Sequence, residues 1–307
     1  MKQQPIVKGV MLVSGAAVLA ACGGGGGGGG SSSSALSLDT ENYANKQIAI
    51  SADANVQNLV GLYDGIAEGL ALVGEVESTL LPAGAEESAT VDCDGGGTLT
   101  VSYVENGQGA EQSLTFNACV VTTSSYGAVL LNGGYDAVLT VSGETEASAS
   151  ASYDITGERL TTGEPLQILG STDIRIVSGS GGNPDNFSLT NTIDAFEIKL
   201  GSDYAAITGG DIRITRTEST TEFSIAGKIL GSDIGGYVQL STPAPVVISD
   251  TEACPIEGII RIASDGSAEV RYGSSAGGTA PAVAVWIDGQ VVESYPDCST
   301  VGFTNGY

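Results

Sequence analysis

Apolar and polar residues alternate from about residue 85 onward, in short runs separated by clusters of Gly, Asn, Asp and Ser. A period of two residues is typical of strands with one buried and one exposed face. Asn-Gly or Asp-Gly pairs at 106–107, 265–266 and 288–289 favour hairpin turns. No long helical pattern lies between these runs, so the connections are short. Parallel strands need long crossover connections, and we therefore expect mostly antiparallel pairing. The pattern predicts strands at Gly97–Tyr103, Gln112–Val121, Ala128–Val141, Ser148–Ile155, Leu166–Val177, Phe187–Leu200, Ala205–Arg216, Glu222–Leu230, Gly236–Leu240, Val246–Ser249, Gly258–Ala263, Glu269–Tyr272, Ala282–Ile287 and Val291–Ser294.

One segment, from Val56 to Leu81, has a helical period instead. Apolar residues recur there every three or four positions, and Pro82 follows as a stop signal. We predict a helix over 56–81. The preferred interpretation is a core helix under a curved sheet, and the alternative is a plug or lid for an apolar cavity.

A short repeat supports a regular arrangement of long strands. Asp-Ile-Arg-Ile occurs at 173–176 and again at 211–214, so each copy has two isoleucines on one face and an arginine on the other. The expected fold is mainly β with a minor α part. It is a long-strand antiparallel meander that forms a curved sheet, half-barrel or barrel, with one N-terminal helix packed on it.

Composition divides the chain into successive parts. The last part follows the Pro-containing stretch at 241–245 and is interpreted either as a C-terminal β subdomain or as the closing strands of the same sheet. The predicted parts are a signal peptide at 1–21, a lipidated cysteine and Gly/Ser tether at 22–34, a lead-in at 35–55, the helix at 56–81, an antiparallel β domain at 85–250 and the closing part at 251–307.

The charge and the residue types exclude several functions. The chain has 11 Lys and Arg against 36 Asp and Glu, a formal charge of −25, and no histidine. Ser-His-Asp triads, Cys-His dyads and His-bearing zinc sites are therefore excluded. With so few basic residues, the chain can neutralise few phosphates of a nucleic acid, and we therefore expect no nucleic-acid partner.

The N-terminus has the parts of a bacterial export signal. Lys2 and Lys8 precede the uncharged run Gly9–Ala21, which is too short to cross a bilayer but has the length of a signal-peptide core. The run ends in Leu-Ala-Ala-Cys22, which resembles the lipobox of bacterial lipoproteins. The alternative is an ordinary secretory signal with a chance cysteine. The resemblance implies cleavage before Cys22 and covalent attachment there of diacylglycerol and an N-acyl chain, which would anchor the protein permanently.

The residues after Cys22 bear on the location. Gly23 stands where lipoproteins kept in the inner membrane typically have aspartate, so the resemblance implies the outer membrane. Eight glycines and four serines follow, and we expect a coil with a reach of about 19 Å. Such a tether is similar to those of surface lipoproteins of Gram-negative bacteria, such as the factor-H-binding and transferrin-binding types. It favours the cell exterior over the periplasmic face.

The other four cysteines predict two disulfides, since an even number in an exported protein is typical of a disulfide framework. Three pairings are open, and we favour the sequence-local choice, Cys93–Cys119 and Cys254–Cys298. Four reduced thiols or a four-thiolate metal site are the alternatives. The segment Cys93–Cys119 also resembles a pattern of β-rich bacterial lipoproteins of unassigned function, which implies that the strands bearing its two cysteines pair.

Other candidate sites are sparse. Asp92 and Asp94, or Asp185 in a second turn, could offer oxygens to Ca²⁺, but neither turn has EF-hand spacing and solvated carboxylates are the preferred interpretation. Gly273–Gly277 matches the Gly-x-Ser-x-Gly nucleophile elbow. We interpret it as a Gly/Ser loop, because the chain has no histidine to accept the proton. We therefore expect no catalytic residue, resident metal or cofactor other than the lipid on Cys22.

These expectations combine into a lipid-anchored outer-membrane or surface protein with a non-catalytic binding or structural β scaffold. Its ligand, a protein, a glycan or a lipid, is left open. One alternative is a half-barrel carrier of an acyl chain or another hydrophobic ligand. The second alternative is a carboxylate-based glycan hydrolase, which requires two carboxylates about 5–10 Å apart.

Overall fold

The computed structural model describes residues 43–50, 88–123, 126–143, 145–179, 186–252, 254–277 and 283–298. The predicted signal peptide, tether and helix lie outside these residues. The strands within the described ranges are β1 (Ala89–Asp92), β2 (Thr98–Asn106), β3 (Gly109–Thr123), β4 (Gly127–Ser142), β5 (Glu146–Arg159), β6 (Glu164–Ser178), β7 (Phe187–Leu200), β8 (Asp203–Arg216), β9 (Thr220–Gly231), β10 (Gly236–Ser249), β11 (Glu257–Ser264), β12 (Gly266–Gly273), β13 (Val283–Ile287) and β14 (Gln290–Tyr295).

Each strand pairs antiparallel with the next one in the sequence, so the described strands form one 14-stranded sheet in the order β1 to β14. The predicted antiparallel meander is therefore confirmed. The two edges of the sheet are β1 and β14, and the sheet is not closed on itself. Within the described parts of the chain, no helix combines the length and apolar character needed to cross a membrane.

The alternation of side chains gives the sheet one extensive buried apolar face, and the opposite face is also buried where Tyr43 and Ala44 pack against Tyr204, Ala206 and Leu230. One row of paired residues runs across the extensive face from β3 to β8, and every member with a side chain is almost fully buried. Gly170 has no side chain, so the Tyr153 ring meets the Phe196 ring edge-on, with 5.5 Å between their centroids. Tyr153 also contacts Tyr135, at 5.2 Å. The row consists of Leu114, Tyr135, Tyr153, Gly170, Phe196 and Ile207.

Successive hairpins place the loops alternately at two ends of the sheet. Residues 43–50 lie at one of them, which we call the lead-in end, because Gln47 bridges to Tyr237 at the start of β10 and Ala49 bridges to Asp265 in the β11–β12 turn. The turns β9–β10, β11–β12 and β13–β14 share this end. The opposite end, which we call the far end, carries the β10–β11 and β12–β13 connections.

Residues 43–50 are fixed to the sheet by packing and polar contacts. Ile50 is buried within the main core. The Tyr43 ring stacks on Tyr204 at 5.4 Å. Lys228 donates a hydrogen bond from Nζ to the carbonyl oxygen of Ala44. This part of the predicted lead-in is therefore an integral part of the fold.

One strand prediction was wrong at β10. The sequence predicts a break between Leu240 and Val246 because Pro243 and Pro245 lack backbone N–H groups. The chain instead continues as one strand, and the prolines fall in a stretch where pairing with β9 is interrupted. There Thr242 Oγ1 accepts a hydrogen bond from the N–H of Ile225 and donates one to its carbonyl oxygen, at 2.7 and 2.9 Å. A side chain thus replaces the missing backbone ladder.

The C-terminal strands continue the same sheet. Leu240 in β10 pairs with Ile262 in β11. Ile262 and Val285, from β11 and β13, belong to the same buried cluster as Tyr153 and Phe196. The side chains on the other face of β11–β13 are therefore held on a packed support.

Candidate functional site

The structure describes only some of the candidate residues from the sequence. Cys22 and Asp185 lie outside the described residues. Asp92 ends β1 and Asp94 lies in the following turn, and both are exposed. Within the described ranges, no group of three or more Cys, Asp or Glu side chains is arranged to hold a metal ion.

The two predicted disulfides are confirmed. Cys93 is bonded to Cys119, with 5.4 Å between their Cα atoms, and this bond is at the lead-in end. Cys254 is bonded to Cys298, with a Cα separation of 5.6 Å, at the far end. The sheet is therefore cross-linked near both ends.

The Gly-x-Ser-x-Gly match at 273–277 forms a turn between β12 and β13. Its central residues form a short 3-10 turn, Ser274–Ala276. Ser275 Oγ accepts a hydrogen bond from the N–H of Gly258 at 3.2 Å, and Ser274 Oγ donates one to Glu257 at 3.4 Å. Both hydroxyls therefore bond within the fold, where they support the end of β11.

The strongest candidate site lies on the outer face of β11–β13. Arg261 pairs with Glu269, and Glu269 pairs in turn with Trp286, so the three residues form one row across the three strands. Arg271 follows Glu269 by two positions on β12 and therefore has the same facing. The alternation of side chains along each strand fixes this placement, because the residues directly before and after these four on their strands point into the core.

Two arginines share the single carboxylate of Glu269. Arg261 donates from Nε and Nη2 to Glu269 Oε1, at 2.9 and 2.5 Å. Arg271 donates from the same two atoms to Oε2, at 2.8 and 2.6 Å. The side chain of Glu269 is only 13% exposed, whereas that of Arg261 is 50% exposed. The cluster thus has two positive charges and one negative charge.

An aromatic wall completes the site. The guanidinium carbon of Arg271 lies 3.9 Å from the centroid of the Trp286 ring, within the range of a cation–π contact. Ser267 and Gly289 also line the space, whose volume is about 430 Å³. We call this space, lined by Arg261, Ser267, Glu269, Arg271, Trp286 and Gly289, the Trp286 cleft.

The Trp286 cleft differs in charge from the other arginine sites. Four arginines each form an ion pair with a carboxylate of their own. Among the ion pairs of the described residues, only those of Arg261 and Arg271 share one acid. In a chain of formal charge −25, the two arginines on one acid concentrate positive charge, and the next carboxylate is that of Asp288, which accepts a hydrogen bond from the N–H of Ser267 at 3.2 Å. The four one-to-one pairs are Arg159–Glu164, Arg175–Glu146, Arg213–Asp211 and Arg216–Asp250.

Acidification should remove the stability that Glu269 provides. Burial by itself would raise the pKa of Glu269, but hydrogen bonds from Arg261 and Arg271 and their charges outweigh it, so the pKa lies below the usual 4.5. A carboxyl with a lowered folded-state pKa stabilises the fold above its unfolded pKa, and this contribution is lost as pH falls through the folded pKa. We expect the difference in unfolding free energy between the wild-type chain and Glu269→Gln to be constant above about pH 6 and to shrink from about pH 5 to about pH 3.

Urea unfolding at a series of pH values, followed by circular dichroism, measures this difference. Ser267→Ala is the matched control, because it alters the same cleft without removing a titrating group. Its difference from wild type should not change over this pH range. Parallel pH profiles for Glu269→Gln and wild type would contradict the ion-pair role of Glu269.

No local pattern in the sequence points to this site. Arg261, Glu269 and Trp286 are far apart in sequence, and only the register of three strands brings them into one row. The one feature of the sequence that could have drawn attention to the site is Trp286, because it is the single tryptophan of the chain.

Comparisons with protein-family models, curated proteins and solved structures find no match to this chain.

Proposed function

We propose that this protein is an exported lipoprotein, anchored to the outer membrane through lipid on Cys22, that displays a non-catalytic β scaffold for ligand binding. The N-terminal residues up to Cys22 support the anchor through their resemblance to a lipobox. The glycine and serine run that follows supports a tether between lipid and scaffold.

The observation that carries the export proposal is the pair of disulfides. Disulfides persist in oxidising compartments and are rare in cytosolic proteins. Both bonds join sequence-local partners near the ends of the sheet, and Cys93, Cys119 and Cys298 are buried. They are therefore structural bonds rather than exposed redox groups.

The filled interior favours a scaffold over a carrier of hydrophobic ligands. Tyr135, Tyr153 and Phe196 lie on the buried face, where Tyr153 contacts both of the other rings. Large side chains therefore fill the region where a carrier would need an apolar cavity. Binding is then expected on the outer face, where the Trp286 cleft lies.

Replacing Cys22 with serine should remove the anchor, because serine provides no sulfur for the thioether. We expect Cys22→Ser to move from the membrane fraction to the soluble fraction and to lose labelling by a clickable palmitate analogue. Each acyl chain contributes about 0.8 kcal/mol per buried CH₂, so the loss of partitioning should be essentially complete.

Ser34→Ala, in the same tether, is the matched control and should behave like wild type. Extraction with detergent and phase partitioning provide the readout for both variants. A Cys22→Ser protein that still partitions with the membrane and is still labelled would overturn the anchoring proposal.

A further inference from the structure

The Trp286 cleft has hydrogen-bond donors that its internal contacts do not use. Arg261 and Arg271 each direct Nε and Nη2 to Glu269, and a guanidinium has five N–H donors in a planar fork. Within the described ranges the two Nη1 groups make no hydrogen bond, so they are the donors left for an incoming acceptor. A planar carboxylate matches the guanidinium fork best, and charge-assisted bonds of this kind are among the strongest in proteins.

A second donor, on a residue that lines the cleft, also lacks a partner. The indole Nε1 of Trp286 is buried and has no hydrogen-bond partner within the described structure. Buried polar groups are almost always satisfied, so an orphaned donor beside a cleft is consistent with a ligand that supplies the acceptor.

The remaining lining groups suit a ligand that carries hydroxyls and an apolar face. Ser267 offers a hydroxyl. The Arg271 guanidinium covers one face of the Trp286 ring, which leaves the other face for the C–H face of a pyranose. A purely apolar ligand would leave the charges of Arg261 and Arg271 desolvated without compensation. The volume of about 430 Å³ is at the small end of the ligand-site range, about 300–1,000 Å³, and suits one sugar unit.

We propose that the Trp286 cleft binds a sugar that carries a carboxylate, as in a uronic acid residue of a glycan. The carboxylate pairs with the Nη1 groups of Arg261 and Arg271, and the ring lies against Trp286. This inference rests on the proposed function as a binding scaffold, because it names the ligand class of that scaffold.

Tryptophan fluorescence tests the proposal directly, since Trp286 is the single tryptophan of the chain and reports on the cleft alone. The full chain in a polyoxyethylene detergent, which has no sugar headgroup, is titrated with D-glucuronate and, as a neutral match, with D-glucose. We expect a saturable change with glucuronate and binding about tenfold or more weaker with glucose, because one charge-assisted interaction is lost.

Arg261→Gln should weaken glucuronate binding by about tenfold or more while leaving the fold intact, because its side chain is half exposed. Arg213→Gln is the matched control. Arg213 is also an exposed arginine with an acidic partner, Asp211, but it lies on β8 away from the cleft. It should bind glucuronate like wild type.

Three results would overturn the proposal: no saturable response to glucuronate, equal binding of glucose, or inorganic phosphate binding as tightly as glucuronate. The last result would mark a general anion site. Anchoring is read out separately by the fractionation of Cys22→Ser. A failed titration with intact anchoring rejects the sugar site alone, and failed anchoring with normal titration rejects the lipoprotein proposal alone.

Discussion

Truncating Phe196 to alanine should lower the free energy of unfolding by about 3–5 kcal/mol. Phe196 is fully buried and packs edge-on against Tyr153. Its neighbour in the row on β6 is Gly170, which has no side chain to move into the space. The cavity left by the ring should therefore stay largely open. This is a large share of the stability of a typical domain, about 5–15 kcal/mol.

Phe187→Ala provides a matched control on the same strand. Phe187 begins β7 and is only partly buried, so its truncation should cost clearly less, about 1–2 kcal/mol. Guanidinium chloride unfolding of both full-length variants, followed by circular dichroism, gives the two values. Equal losses would contradict the close packing of the central row.

The position of Gly170 in this row does not tolerate a side chain. A Cβ there would lie 2.4 Å from the carbonyl oxygen of Ala195, and the φ of +150° is one that residues with side chains rarely adopt. The Phe196 ring lies next to this glycine, with its Cδ2 atom 3.1 Å from the position that a Cβ would take. Glycine therefore permits both the local backbone and the aromatic contact, as in other sheets where a ring covers a glycine.

Alternation was sufficient to predict the sheet because burial on one face imposes a period of two on every long strand. The predicted strand Phe187–Leu200 coincides with β7. In the repeated Asp-Ile-Arg-Ile sequences, Ile174 and Ile214 are buried and contact the same cluster, while Arg175 and Arg213 are exposed, as the period requires.

Local patterns could not predict features that depend on neighbours across the sheet. The strand β1 has only four residues, and its pairing with β2 is needed to define it. The continuity of β10 depends on the Thr242 side chain, which bonds to Ile225 where the prolines cannot. Both features result from tertiary contacts that override local preference.

The Trp286 cleft was unpredictable for the same reason. Strand period alone places Arg261, Glu269 and Trp286 on outward positions, but many charged residues in this chain occupy such positions. Register decides that two arginines share one acid, and this sharing separates the cleft from one-to-one pairs such as Arg175–Glu146. Charge counted along the sequence could not show it.

Removing the Cys93–Cys119 disulfide should lower the free energy of unfolding by about 3–4 kcal/mol. The bond closes a separation of 26 residues, and the chain-entropy model attributes its effect to the unfolded state. It also holds the β1–β2 turn against β3, where Gly95 donates to the carbonyl oxygen of Val120 and Val120 donates to that of Gly96. Alanine at both positions avoids placing an unpaired hydroxyl in the buried site.

The second disulfide separates the chain-entropy effect from the packing effect. Cys254–Cys298 closes a longer separation, 44 residues, so entropy alone predicts a loss of about 4 kcal/mol for its double alanine variant. Cys93 and Cys119 are both buried in the main core, whereas in the second bond Cys298 is buried there and Cys254 is only partly buried. If buried packing contributes, the Cys93→Ala/Cys119→Ala variant should lose at least as much stability despite its shorter loop.

Chemical unfolding of the two variants and wild type, repeated with dithiothreitol, measures both losses. A Cys93→Ala/Cys119→Ala variant as stable as oxidised wild type would show that this bond is not needed to hold the lead-in end together.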